Sequence, residues 1–293
     1  MGCTIKILLT GASGFIGGRF LKDYGNIYDI HCVDLRKTKP SEINFSGIDA
    51  VVHCAALVHQ MKGAPEEEYF KINKALTVAL AEAAKINGAK HFIFLSTAHV
   101  FCGGGIIHNH NLKLGPKDIC KPPDPYGRSK LEAEVEILKM ADHKFTVSII
   151  RPPMVYGEGA KGNIISLTRL IENFPVLPLG FKKNKRSLVY VGNLSYFIHC
   201  LTSHPQTGIF LPQDPRALSI MEIITLLAKV RNKKILLLRI PVVIALAIHK
   251  AFPKTTVRLF GSLNLDSKSS SEALRYTPIY TTEEGFSRTF MAN

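Results

Sequence analysis

The chain has 293 residues, 46% of them hydrophobic, with 37 lysines and arginines against 23 acids for a formal charge of +14. That is enough apolar material for a full core, near the upper limit of one domain or two intimate ones, and it excludes an intrinsically disordered chain. The charge draws phosphates, but the densest basic run (Lys182, Lys183, Lys185, Arg186) has no adjacent aromatic ladder, which sets nucleic acid aside as a partner.

In chain order, residues 5–9 read as a strand that runs into Thr10-Gly11-Ala12-Ser13-Gly14-Phe15-Ile16-Gly17, where glycines 11, 14 and 17 mark a strand-to-helix turn. Glycine there lets the backbone approach a pyrophosphate, and the helix N-terminus adds free N–H donors and partial positive charge. A helix is predicted around 15–22 and a strand at 30–33. Asp34 ends that strand, where a carboxylate can accept from the adenosine ribose hydroxyls. Its charge would repel the 2′-phosphate of NADP, so NAD is expected. Arg36, two residues on, leaves NADP possible.

Further strands are predicted at 50–54, 92–95 and 146–150, with helices at 69–86 and 125–140. Apolar strands alternating with helices imply an α/β fold, a Rossmann-type doubly wound parallel sheet. The strand 92–95 ends in Ser96-Thr97-Ala98-His99, at the edge where such sheets face their ligand crevice. Tyr126 and Lys130 stand four residues apart, on one helix face. A tyrosine titrates near pH 10, so service as a base near neutrality needs about 4 kcal/mol, which the Lys130 charge and an oxidised nicotinamide together supply in a partly desolvated site.

After about residue 151 the rhythm changes to prolines, a basic loop at 180–186 and shorter elements. The expected division is a dinucleotide-binding domain with the catalytic residues at 1–150 and a smaller, partly interleaved substrate lobe at 151–293. Residues 235–248 are very apolar but are interrupted by Arg239 and Pro241 and fall short of a membrane span. They read as a strand and a buried helix, with no stable membrane insertion; peripheral membrane contact is the lesser alternative. His99, His108 and His110, with Cys102 and Cys120, form no recognised ligand spacing, so no metal is expected, and the stretch around His108 and His110 reads as a mobile loop over the crevice. Six scattered cysteines without CxxC spacing, and an N-terminus that runs straight into a strand, point to reduced thiols in the cytoplasm.

Together the glycine turn, Asp34, Asn73, Thr97 and the Tyr126/Lys130 pair resemble the extended short-chain dehydrogenase/reductase family. Three further stretches, Arg151 to Gly157, Lys161-Gly162-Asn163 and Arg186 to Asn193, look like its UDP-sugar branch of UDP-glucose 4-epimerases and 4-keto-sugar reductases. The resemblance implies Tyr126 as acid/base, Lys130 as the neighbour that lowers its pKa, and Thr97, in place of the commoner serine, as donor to the sugar oxygen. It implies a cofactor site of Gly11, Ser13, Gly14, Phe15, Ile16, Gly17, Asp34, Leu35, Arg36, Cys54, Ala55, Ala56, Asn73, Tyr126, Lys130 and Pro153, with Asn73 holding the active-site helix through a buried water. Asn163, Arg186 and Arg258 are implied as contacts to the substrate diphosphate, alongside Thr97 and Tyr126 at the sugar. No acidic residue between Asp34 and Asp49 maps to an adenine contact.

The implied activity is NAD-dependent epimerisation at C4 of a UDP-sugar through a transient 4-keto intermediate, supplying surface polysaccharide. Reduction of a UDP-4-keto-6-deoxy-sugar uses the same residues and is the alternative. A silent dinucleotide sensor and a basic RNA-binding protein are rivals from other classes; the intact Thr97, Tyr126 and Lys130 argue against the first. A homodimer through the helices at 69–86 and 125–140 is the assembly the family implies.

Overall fold

A computed structural model of the chain describes residues 4–58, 64–102, 105, 111–160, 162–239, 241, 250 and 252–290. The predicted loop at His108 and His110, and the helical half of the stretch 235–248, lie outside the described residues.

β1 (Lys6–Thr10), β2 (Asp29–Val33), β3 (Ala50–His53), β4 (His91–Leu95), β5 (Thr146–Ile150) and β9 (Gly208–Phe210) form one six-stranded sheet in the order β2-β1-β3-β4-β5-β9. Every pairing in it is parallel. β3 and β4 are buried along their whole length, as expected of strands covered on both faces. One face carries α1 (Phe15–Tyr24) and α7 (Val191–Ser203), where Phe20 packs with Phe197, Leu194 and Leu201. On the other face lie α3 (Leu76–Ile86) and α5 (Pro125–Leu138), whose Leu80, Ala84, Ala133 and Ile137 close over Val51, Phe92 and Val147. The short α2 (Glu66–Tyr69) runs through a π-helical stretch (Phe70–Ala75) into α3, so the predicted helix at 69–86 starts earlier and is locally underwound. α4 (His99–Cys102) follows β4.

A second lobe contains β6 (Met154–Tyr156), α6 (Asn163–Asn173), β7 (Val176–Gly180), β8 (Leu188–Tyr190), α8 (Ile220–Val230), β10 (Leu236–Arg239), α9 (Pro253–Phe260), α10 (Lys268–Leu274) and α11 (Thr282–Phe290). Its apolar core gathers Tyr156, Leu188, Ile223, Leu227, Phe260 and Phe286. α7 and β9 return to the first sheet, so the part of the chain after 150 is interleaved between the two lobes.

Asp214 is the polar centre of the second lobe. It accepts from Tyr156 Oη at 2.6 Å, the Tyr190 amide at 3.0 Å and Asn193 Nδ2 at 2.8 Å. Asn193 also exchanges bonds with the Tyr280 backbone, donating at 2.9 Å and accepting at 3.0 Å. Thus Asn193, which closes one of the sequence stretches read toward substrate, fastens the C-terminal segment to the core.

Candidate active site

The sheet order reverses between β1 and β3, and the crevice opens there at the strand C-termini. A cavity of about 1190 Å³ occupies it. Its floor is the turn after β1. Gly11 has φ +74°, and a Cβ on it would stand 2.6 Å from the Ala55 amide nitrogen. A Cβ on Gly17 would run into the Gly11 carbonyl, and one on Gly14 would crowd the same oxygen at 3.1 Å. The glycines therefore let the turn, the loop after β3 and α1 pack together, leaving the helix N-terminus open to the cavity. The first turn of α1 carries no acidic residue to compete for that position. This cradle fits a pyrophosphate.

Cavity lining brings together Gly11, Ser13, Gly14, Phe15, Ile16, Gly17, Asp34, Leu35, Arg36, Cys54, Ala55, Ala56, Thr97, Tyr126, Lys130 and Pro153. Asp34 and Arg36 form a two-pronged pair, Arg36 Nη2 to Oδ2 at 2.8 Å and Nε to Oδ1 at 2.9 Å. These bonds from Arg36 hold the carboxyl down to about 2, so it is ionised at any working pH. Cys54 is inert as a thiol, since burial pushes it up to about 12.

α5 places the reactive pair. Asp124 caps it, Oδ1 accepting from the Gly127 amide at 2.9 Å, and Pro125 takes the first turn, where its missing N–H costs nothing. Tyr126 and Lys130 thereby share one face, with Glu134 next along it. Lys130 is 2% exposed; its Nζ donates to the Leu95 carbonyl at 2.9 Å and lies 4.4 Å from the centre of the Phe94 ring. Burial lowers its pKa to about 8, partly offset by Cys54 and Glu134, so it stays mostly cationic at neutrality.

In the protein alone Tyr126 is held protonated. Burial pushes its phenol up to about 12, opposed by a hydrogen bond with the Thr97 hydroxyl. Lys130 spends a donor on Leu95 and does not by itself make this tyrosine a base.

Asn73 is fully buried behind the cavity and is not part of its lining. Its Oδ1 accepts from the Leu57 amide at 2.9 Å, and Nδ2 donates to the Leu57 carbonyl at 3.0 Å and to Ser129 Oγ at 3.2 Å. The bonds to α5 and to the loop after β3 are direct.

Arg186 lies outside the cavity lining, its Nη2 donating to the Val257 carbonyl at 2.9 Å. Asn163 opens α6 and Arg258 lies within α9, but their side chains are outside the described residues.

Sequence reasoning missed three supports. His53 bridges Thr10 Oγ1 at 2.7 Å and Thr77 Oγ1 at 2.9 Å, and burial lowers it to about 3, a neutral strut behind the glycine turn. Glu134 receives Arg151 Nη2 at 2.6 Å and the Ser96 hydroxyl, tying α5 to the ends of β4 and β5. His99 Nε2 pairs with Asp124 Oδ2 at 2.6 Å beside the Tyr126 ring. The signals were present: Glu134 lies four residues beyond Lys130 on the same face, and an aspartate directly before a proline marks a helix start.

Comparison with known proteins agrees with this geometry. Residues 7–210 match the NAD dependent epimerase/dehydratase family. A UDP-glucose 4-epimerase of Vibrio cholerae is 34% identical over 98% of this chain and 95% of its own length. An N-acetyl-alpha-D-glucosaminyl-diphospho-ditrans,octacis-undecaprenol 4-epimerase of Escherichia coli O157:H7 is 29% identical, covering 80% of this chain and 75% of that protein. Among solved structures, the UDP-N-acetylglucosamine 4-epimerase from Bacillus cereus superposes with a TM-score of 0.76 at 20% identity, covering 97% of each chain.

Proposed function

Because this chain belongs to the NAD dependent epimerase/dehydratase family, we propose that it inverts C4 of a UDP-sugar of the UDP-glucose or UDP-N-acetylglucosamine type, with NAD as resident cofactor. The observation that carries the reading is the convergence of the glycine cradle, Asp34 and the Thr97/Tyr126/Lys130 group on one cavity. UDP is preferred as the sugar carrier because the UDP-glucose relative matches nearly the full length of both chains.

Gly11, Ser13, Gly14 and the N-terminus of α1 would hold the pyrophosphate, Asp34 the adenosine ribose, and Cys54 to Ala56 with Pro153 the faces of the cofactor. Bound NAD would supply the hydride acceptor and donor for the sugar carbon and, when oxidised, a positive charge that adds to that of Lys130. Tyr126 Oη takes the proton of the sugar 4-hydroxyl and gives it back after the sugar turns in the site. Thr97, already bonded to Tyr126, steadies the same oxygen. Lys130 stabilises the phenolate through its charge, which the apolar surroundings leave unscreened. Asn163, Arg186 and Arg258 are assigned to the diphosphate, Arg186 exchanging its bond to the Val257 carbonyl for phosphate oxygens, which its guanidinium fork suits.

The assembly is read as a cytoplasmic homodimer through α3 and α5, where Val135 is 47% exposed. Light scattering of the purified protein measures its size.

The deciding experiment releases and quantifies bound nucleotide, then follows UDP-glucose and UDP-N-acetylglucosamine by chromatography. Near-stoichiometric NAD with conversion to the 4-epimer is expected. A protein that retains no NAD, prefers NADPH and leaves both sugars unchanged overturns the reading in favour of 4-keto reduction.

A further inference from the structure

Among the described residues, the ribbon of β7 and β10 presents one apolar face to solvent. Side chains alternate across a strand. Leu177, Leu179 and Leu237 turn inward to the core of the second lobe, whereas Val176, Pro178, Leu236 and Leu238 are exposed. Val176 stands beside Leu236 in the parallel register. These three apolar residues, Val176, Leu236 and Leu238, are 45%, 59% and 48% exposed, and Phe174, just before β7, is 54% exposed. Scattered exposed leucines need no explanation; a contiguous row on paired strands does.

Cations bound the row at both ends. Lys233 and Lys234 precede β10 at the N-terminal end of the two strands. At the other end stand Arg239, which pairs with Gly180, and Lys182 and Lys183, and all five side chains are exposed. From residue 223 to residue 265 the sequence contains no aspartate or glutamate. Glu172, the acid preceding β7, is neutralised by Arg231 at 2.7 Å. The spacing between the cationic ends is about 15 Å, a strand of four or five residues.

We propose that this face docks on an anionic lipid bilayer, with Val176, Leu236 and Leu238 entering the boundary between headgroups and acyl chains and the flanking lysines and Arg239 meeting headgroup phosphates. No described helix is long and apolar enough to cross a membrane, so the attachment is peripheral. A second copy of the chain is the poorer occupant, because it would set the same cationic ends against each other. The proposal stands independently of the sugar the cavity takes.

Flotation of the purified full chain with phosphatidylcholine vesicles, with and without phosphatidylglycerol, tests it. Binding is expected only to the anionic vesicles and weakens as salt rises. Leu236→Gln with Leu238→Gln, and separately Lys233→Glu with Lys234→Glu, each lower the apparent affinity roughly tenfold or more. Both variants keep the parent's melting temperature and retained nucleotide, since every altered side chain is exposed. Absence of binding at low salt, or binding that survives both double variants, overturns the proposal. So does a parent dimer that Leu236→Gln with Leu238→Gln converts to monomer, which would assign the face to a second copy.

Discussion

The Asn73 side-chain amide donates to Ser129 Oγ across 3.2 Å, joining the π-helical stretch to α5 one residue before Lys130. The same amide holds both backbone polar groups of Leu57. Asn73→Ala therefore strands buried partners on two elements and costs about 1–3 kcal/mol. Thermal unfolding reports that loss, and NAD titration is expected to show weaker binding as the loop after β3 loosens.

Tyr126→Phe keeps the ring and its packing but removes the proton. Turnover is expected to fall about 100- to 10,000-fold, with melting temperature and retained nucleotide unchanged. Unimpaired turnover would remove Tyr126 from the chemistry and leave the fold assignment standing.

Lys130 gives the protein a pH signature. Its folded pKa of about 8 lies below the unfolded value of about 10.4. Between those values the unfolded chain holds a proton that the folded chain has lost, so stability rises with pH there, by up to about 3 kcal/mol, and the full cost applies below pH 8. Tyr126, raised to about 12, acts in the opposite sense only above its unfolded value of about 10. Denaturant unfolding from pH 7 to pH 10 should show the parent gaining stability relative to Lys130→Met, the buried Cys54 thiol opposing the rise equally in both above about pH 9.

Glu134 and Arg151 are 1% and 4% exposed in their side chains and meet at 2.6 Å. Removing one partner leaves a buried charge, so Arg151→Met should cost about 3–5 kcal/mol. Adding Glu134→Leu should recover much of that, because the pair's own desolvation disappears with it. A double-mutant cycle in chemical denaturation measures the coupling.

Asp34→Asn removes the charge that opposes a 2′-phosphate and frees Arg36 from its two-pronged bond. Binding of NADP relative to NAD should improve by about tenfold or more, read by calorimetric titration of both nucleotides. An unchanged ratio would take Asp34 out of cofactor selection.

What was legible in the sequence was whatever periodicity or local spacing encodes. Five apolar runs became five parallel strands, the glycine triplet became the strand-to-helix turn, and the offset between Tyr126 and Lys130 put them on one helix face, because backbone geometry alone sets those relations. Tertiary structure decided the rest. It decided which elements interleave past residue 150, β9 and α7, since a short strand of three residues gives no periodic signal until β5 pairs with it. It turned Asn193 toward Asp214 and Tyr280 and Arg186 toward the Val257 carbonyl. It also set the protonation of Tyr126 and Lys130, because a pKa depends on how much water burial removes, and burial is created only when distant segments pack.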